Sequence, residues 1–367
     1  MRGAYPGETV TSVVDAEPFV ELSHIFDPVI TKAIEAARPS DLPRLVEVLI
    51  QVTKEDPSIK IQINQETGEH LMSGMGELHL EIIENRIKTE KHLDIKTSTP
   101  VVVYRESLQG KNAEDAEGKS PNKHNRLYFR VEPMPAEVTE AFKENKIPLG
   151  RVKSRTEKEV WAALEEAGME GKQTRQIRDV FNGNLLFDST RGIVQIGEIQ
   201  ELVNDMFEDV MNKGPVAGEP VQGVMVFLTD AKLHEDAIHR GPAQMYPAVR
   251  EGIRAAMKMA RPFILEPVQT LLFECPEEYM GEVSKLVSNK RGQLLDMTQE
   301  GTTIQVKARV PVGEMFGMSN QLRSATGGRG SSSVIDQNYD RLPEELQAKI
   351  IGQIRSRKGL KEETPTE

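Results

Sequence analysis

Residues 59–89 read IKIQINQETGEHLMSGMGELHLEIIENRIKT. Ile59, Ile61 and Ile63 alternate with polar residues, which marks a half-buried strand running into a turn. A second short strand, HLMSGMG, follows. GELHLEIIENRIKTEKH then brings Leu78, Leu80, Ile82, Ile83 and Ile87 round at helical spacing. Upstream, PVITKAIEA (28–36) is rich in β-branched residues and predicts a strand. DLPRLVEVLIQVTKED (41–56) predicts a helix with Leu42, Leu45, Val46, Leu49 and Ile50 recurring, capped by Ser40 or Asp41. Downstream, DIKTSTP (94–100) closes the set as a strand. The order strand–helix–strand–strand–helix–strand is the split-βαβ, ferredoxin-like pattern.

Residues 264–342 repeat that order. EPVQTLLFECP is a strand, and EEYMGEVSKLVSNKRG is a helix with Tyr279, Val283, Leu286 and Val287 on one face, closed by Gly292. GQLLDMTQEG and TTIQVKARVPV predict a hairpin around Glu300-Gly301. GEMFGMSNQLRSATGG is a helix and SSSVIDQNYDRLP a last strand. In each set the second helix opens on Gly-Glu, at Gly76-Glu77 and Gly313-Glu314. Between the two sets, strands are predicted at VVVYRESL, RLYFRVEPM and VQGVMVFLTDAKL. Helices are predicted at EVTEAFKENK, EKEVWAALEEAGM, IGEIQELVNDMFEDVMNKG and PAVREGIRAAMKMA. GKNAEDAEGKSPNKHNR (110–126) is polar and rich in Gly, Lys and Asn, so an exposed loop is expected. PEELQAKIIGQIRSRKGL (343–360) predicts a terminal helix whose basic end complements the helix dipole.

Composition narrows the function classes. Of 367 residues, 38% are apolar and 28% charged, the range of a soluble globular chain. No window approaches roughly 18 apolar residues, so no membrane span is expected, and the first residues lack the apolar run of a secretory signal. The single cysteine, Cys275, leaves no internal disulfide and no cysteine-rich zinc site. It stands in phase with Leu271 and Phe273, as a buried structural thiol would. A net charge of −11 argues against a dedicated nucleic-acid coat but leaves room for one local basic tip. Aromatic residues are 5%, with Trp161 the only tryptophan, so base-stacking platforms are not expected.

Candidate chemistry is sparse. The sequence has no GxxxxGK[ST] phosphate cradle, no GxGxxG after a strand, no GxSxG elbow and no HExxH. HEDAIH places His234 and His239 five apart, too far round a helix for one metal-binding face. His70 and His79 read as a cap and a helix-face contact, and His24 and His92 as surface positions. Asp205 and Glu208 read as a solvated helix face. Two loops remain. SPNKHNR (120–126) carries Lys123, His124 and Arg126 behind Lys119, a set able to donate to phosphates or base edges. AIHRGPAQMYP (237–247) has a Gly241-Pro242 turn expected to push His239 and Arg240 outward. From residues alone, a functional tip and an ordinary loop both stay open.

DAIHRGPAQMYP resembles the diphthamide loop of the elongation factor 2 family, the ribosomal translocases. KSPNKHNRLY resembles the neighbouring loop at the same tip. QINQETGEHLMSGMGELHLEII resembles the signature of the family's third domain, and RSRKGL its basic final helix. The resemblance runs from about Glu17 to Leu360. It implies an α+β multidomain fold: two ferredoxin-like split-βαβ domains flanking an α/β arm domain similar to domain IV of translational GTPases. Residues 1–24 would be a remnant of the β-barrel domain II, 25–101 domain III, 102–262 domain IV and 263–342 domain V. Residues 343–367 would be a C-terminal helix and acidic tail packing on domain IV. GPAQ after His239-Arg240 is the form associated with archaeal members.

The resemblance further implies that His239 is the histidine converted to diphthamide. It implies that Lys119, Lys123, His124, Asn125, Arg126, Arg240 and Gly241 form an RNA-contacting tip. No catalytic residue, metal or cofactor is expected in this chain. The family binds GTP and magnesium in a domain this sequence lacks. The implied partners are the ribosome, with ribosomal, transfer and messenger RNA in the decoding region, the diphthamide-synthesis enzymes, and a GTPase domain in cis or in trans. The implied setting is cytoplasmic, without a membrane, and the implied role is a portion of the translocase acting in GTP-dependent translocation. The alternative is a stand-alone ribosome-binding module or competitor lacking GTPase activity. A metal-dependent hydrolase using His234 and His239 is a third reading, disfavoured by their spacing.

Overall fold

Alternating and helical apolar patterns in the first 100 residues resolve into one sheet with two helices. The computed structural model describes residues 27–63, 70–193 and 195–360, together with Thr9 and Ser12. The expected barrel remnant over residues 1–24 is thus, but for Thr9 and Ser12, outside the described residues. So are the turn after Ile63 and the acidic tail. Among the described residues no helix is long and apolar enough to cross a membrane. The chain divides into two compact units. One closes at Val103 and takes up Glu266–Asp340; the other spans Tyr104–Leu265 and resumes at Arg341.

The first unit begins with β1 (Ile30–Ala36), α1 (Leu42–Glu55), β2 (Lys60–Ile63), β3 (His70–Gly74), α2 (Glu77–Thr89), β4 (Ile95–Thr97) and β5 (Val101–Val102). The sheet order is β2-β3-β1-β4, with β5 also on β1. α1 buries Leu45, Val48, Leu49 and Val52, and α2 buries Leu80, Ile83 and Ile87. Three expected core residues face outward instead: Ile50 is 46% exposed, Leu78 57% and Ile82 49%. The stretch is apolar on more than one side, and only the i, i+3, i+7 stripe can meet a flat sheet. His70 is not a cap. It lies in β3, fully buried, and burial holds its imidazole below the ordinary range. His79 joins α2 to the α1–β2 connection: Nε2 meets Asp56 at 2.9 Å and Nδ1 accepts the Met75 N–H. The Ser58 hydroxyl and backbone N–H both donate to Asp56. Burial alone would raise Asp56; the hydrogen bonds from Ser58 and His79 outweigh it and keep the carboxyl below its ordinary value.

The second unit opens with β6 (Arg105–Leu108), β7 (Ala116–Lys119), β8 (Arg126–Pro133), α3 (Ala136–Lys143), β9 (Gly150–Arg151), α4 (Glu157–Glu166) and α5 (Gly171–Thr174). It continues with β10 (Ile177–Phe181), β11 (Asn184–Asp188), α6 (Ile196–Asn212), β12 (Val224–Lys232) and α7 (Pro242–Met259). Its sheet order is β7-β8-β12-β11-β10-β9, with only β11 and β12 parallel. α6 and α7 cover one face through Ile199, Val203, Phe207, Met245, Val249 and Ile253. Val138, Val160 and Leu164 of α3 and α4 pack against the other.

Residues 110–126 are not simply a loop, because β7 runs through them. Ala116 and Gly118 carry no β-branched signal, yet they let β7 lie against α7: a Cβ on Gly118 would overlap the Ala248 carbonyl. The β10–β11 hairpin was also unforeseen, although its turn is Asn182-Gly183 with both φ positive (48° and 71°), the type I′ signature. Asp205 and Glu208 are not a solvated face. With Glu201 they clamp Arg151 from β9 at 2.6, 2.7 and 2.6 Å, and Tyr246 donates to Asp205. Beneath them Asp179 is fully buried, and burial together with the Glu208 charge pushes its carboxyl up to about 7.

β13 (Pro262–Pro276) pairs its first residues with β6 and the rest with β15. The remaining elements are α8 (Met280–Asn289), β14 (Gln293–Glu300), β15 (Thr303–Pro311), α9 (Met318–Ala325), β16 (Ser331–Arg341) and α10 (Glu344–Arg357). The order β14-β15-β13-β16 reproduces the first sheet, so the ferredoxin-like arrangement occurs twice. Cys275 is buried with Leu271, Phe273, Val283 and Val287, and burial pushes its thiol up. Gly301 turns the β14–β15 hairpin at φ 65°. Gly313-Glu314 does not open the second helix: it lies in a 3-10 turn, and α9 starts at Met318.

The basic end of α10 serves the second unit. Arg355 donates to the Val216 carbonyl at 2.6 Å, while Arg357 and Lys358 reach Glu219 at 3.3 and 3.0 Å. The same loop is gripped by Glu106 of β6, which accepts the N–H groups of Val216, Ala217 and Glu219.

Two predictions follow from these placements. Leu80→Ala should destabilise the first unit by about 2–5 kcal/mol and Leu78→Ala by less than about 0.5 kcal/mol, read from denaturant midpoints. Asp179 keeps its proton in the folded chain to about pH 7 but loses it near 3.8 when unfolded, so its contribution is full at low pH and falls as pH rises through that window. Asn does not titrate. Asp179→Asn should therefore gain more in thermal midpoint over the parent at pH 8 than at pH 4, and an equal gain at both would refute the assignment.

Candidate functional site

Two loops meet at one end of the second unit's sheet. The first closes the β7–β8 hairpin. Lys123 takes a left-handed backbone (φ 63°) and its N–H donates to the Ser120 carbonyl at 2.8 Å. Asn122 accepts the His124 N–H, and the Ser120 hydroxyl oxygen accepts the Asn125 N–H. The second loop leads from β12 into α7. Asp236 caps a 3-10 turn, Ala237–Arg240, by accepting the Ile238 N–H at 3.0 Å. Pro242 then starts α7 at a position where its missing N–H costs nothing.

Three hydrogen bonds join the loops. The Asn125 amide donates to the His239 carbonyl at 2.7 Å and its oxygen accepts the His234 N–H at 3.0 Å. The Gln244 side chain accepts the Asn122 N–H at 2.9 Å. The result is a cluster of three imidazoles. Ring centroids are 5.1 Å apart for His124–His234 and for His124–His239, and 4.5 Å for His234–His239. His124 is exposed; the other two are half-buried.

The residues expected at this tip fall into different classes. His239, His124 and Lys123 stand together at the surface, and Lys123 pairs with no acid among the described residues. Lys119 and Arg126 are half-exposed and share Glu117, at 3.0 and 3.2 Å. The Lys119 hydrogen bond leads in holding the Glu117 carboxyl below its ordinary value. Such solvated pairs are weak and exchangeable, so both cations remain available to a phosphate. Asn125 is wholly buried and cannot touch a macromolecule. Arg240 is not pushed outward. Its guanidinium turns inward to the carbonyls of His234 and Glu235 and the carboxylate of Glu198, satisfying the turn from within. Gly241 is in ordinary extended backbone (φ −68°) with open space where a Cβ would stand, so its turn needs no glycine.

Sequence reasoning treated His234 only as a metal ligand and passed over Gln244. Neither residue announces its role, because each acts on a loop more than a hundred positions away. His234 Nδ1 accepts the Asp236 N–H. A neutral ring then carries its proton on Nε2, leaving no lone pair there for a metal. Among the described residues no group of three or more His, Cys, Asp or Glu side chains is arranged to hold a metal ion. The arrangement suits recognition: a small cationic and imidazole-rich surface on a rigid base.

Comparison with known proteins gives three family matches in chain order. The model for elongation factor G domain III matches residues 25–99, domain IV 150–261, and the elongation factor G C-terminus 263–350. Elongation factor 2 of Thermococcus gammatolerans is 50% identical over 367 residues, all of this chain and 50% of the relative. That of Pyrococcus horikoshii is 49% identical over the same span, again 50% of the relative. The Methanocaldococcus jannaschii protein is 48% identical over 363 residues, 98% of this chain and 50% of the relative. The chain spans about half the length of the curated relatives it matches.

The inward turn of Arg240 separates two kinds of tip residue. Arg240→Ala should lower the stability of the second unit by roughly 2 kcal/mol, since it removes a buried guanidinium and its charge-assisted bonds to the carbonyls of His234 and Glu235. Lys123→Ala and Gly241→Ala should leave it within about 0.5 kcal/mol. Equal urea midpoints for all three variants would contradict the buried role of Arg240.

Proposed function

The chain belongs to the elongation factor 2 family, and from that premise we propose that it takes part in ribosomal translocation, with the two-loop tip as the part that enters the decoding region. The observation that carries the reading is the stapled tip, which sets His239, His124 and Lys123 at the surface and keeps Lys119 and Arg126 beside them. A chain of net charge −11 repels RNA at long range. Contact with an anionic backbone therefore depends on a local cationic point that releases counterions. RNA at such a point is read by shape and backbone rather than by base sequence. His239 is the residue we assign to diphthamide modification, which would add a fixed trimethylammonium charge on a longer stem at that point. The modifying enzymes are then partners, as are ribosomal, transfer and messenger RNA.

The two ferredoxin-like sets supply the rigid parts through which a switch elsewhere would move the arm. GTP and magnesium fall to a nucleotide-binding domain in cis or in trans, since this sequence carries no phosphate cradle. The working location is the cytoplasm.

The test combines mass and binding. Protein purified from its native host should carry an adduct on the peptide containing His239. The chain should co-sediment with archaeal ribosomes and displace full-length elongation factor 2. Lys123→Ala should weaken that binding several-fold and lower the slope of log affinity against log salt by about one. Failure to bind ribosomes would overturn the proposal. Binding with an unmodified His239 would shift it toward a ribosome-binding module that acts without turnover.

A further inference from the structure

Asn125 was grouped with the RNA-contacting residues, but its burial removes it from that set. Its geometry suggests another role. Both ends of one amide are used, and they face opposite demands: the NH2 end meets the His239 carbonyl and the oxygen meets the His234 N–H. Serine or alanine cannot span both. A carboxylate would accept from His234 but set a negative oxygen against the His239 carbonyl. The side chain is fixed in turn by Ser120, whose hydroxyl lies 3.0 Å from the Asn125 backbone nitrogen and 3.4 Å from its amide nitrogen. Nothing else among the described residues ties the His239 carbonyl, whereas the Arg240 side chain holds carbonyls ahead of the turn, at His234 and Glu235.

We infer that Asn125 is the positioning residue for His239: through its two amide bonds it sets the histidine's backbone, and so the approach of its imidazole, for whatever acts on that ring. The two loops are then one recognition unit. An enzyme that reaches His239 also meets His124, whose ring is 5.1 Å away. This inference rests on the reading of His239 as the modified residue, but its structural half can be judged apart from that reading.

The experiment uses the full chain, produced in a host that carries out the modification. Hydrogen exchange is followed at the His234 amide and at the amides of β12, and the mass of the His239 peptide gives the modified fraction. In Asn125→Ala the His234 amide should exchange at least tenfold faster while the β12 amides keep their protection, and the modified fraction should fall at least tenfold. Gln244→Ala removes the third staple from the helix side without touching Asn125. It should lower modification by a smaller factor, about two to five, with His234 protection retained, and it decides the matter if Asn125→Ala loses β12 protection. An unchanged His234 amide, or full modification despite its exposure, would overturn the inference, as would full modification of Gln244→Ala in that second case. A parent chain that carries no adduct would instead count against the proposed function. The exchange data would then judge the positioning role alone.

Discussion

Arg126 pairs with Lys232 across β8 and β12, and the register runs back from there to Pro133 opposite Val224. That pairing is the constraint on which the tip depends. It makes the loop that enters β8 and the loop that leaves β12 emerge side by side at one end of the sheet. Asn125 is the residue before β8 and His234 stands two residues after β12, so the hydrogen bond between them extends the ladder into the loops. A slip of one residue would turn Leu127, Phe129 and Val131 from the core to the solvent face, and it would part Asn125 from His234. The apolar alternation of β8 therefore enforces the position of polar groups that contribute nothing to the core themselves.

The two ferredoxin-like sets were legible where an element has a clean period against one neighbour. Cys275 with Leu271 and Phe273, and Val283 with Val287, could be placed by spacing alone. Legibility failed where apolar residues surround a helix: nothing local separates Leu78 and Ile82 from Leu80 and Ile83, and only the flat sheet does so. It failed again at β7, where Ala116 and Gly118 are chosen for closeness to α7 rather than for strand propensity. The Asn182-Gly183 turn is a different case, since its signal was present in the sequence and unused.

Charged residues were the least legible of all. Arg240 and Glu198 are 42 positions apart, and Asn125 and His239 are 114 apart. A charge or an amide reads as surface until its partner is known. The same holds for the acids that grip Arg151, for Glu106, which binds the loop held by α10, and for Glu219 of that loop, which meets Lys358. In a chain of net charge −11, much of the acidity near the second unit's helices is thus committed to internal bonds.

The 114-residue span between Asn125 and His239 also fixes the order in which the site can come into being. Synthesis proceeds at roughly 5–20 residues per second, so on the order of ten seconds pass between the appearance of the amide and that of the carbonyl it must hold. During that time the β7–β8 hairpin has neither its neighbouring strand nor α7 to rest on. Long-range pairing of this sort is slow to form. The surface around His239 is accordingly among the last parts of the second unit to be assembled, and an enzyme that recognises both loops would find its substrate only on chains whose central sheet is already complete.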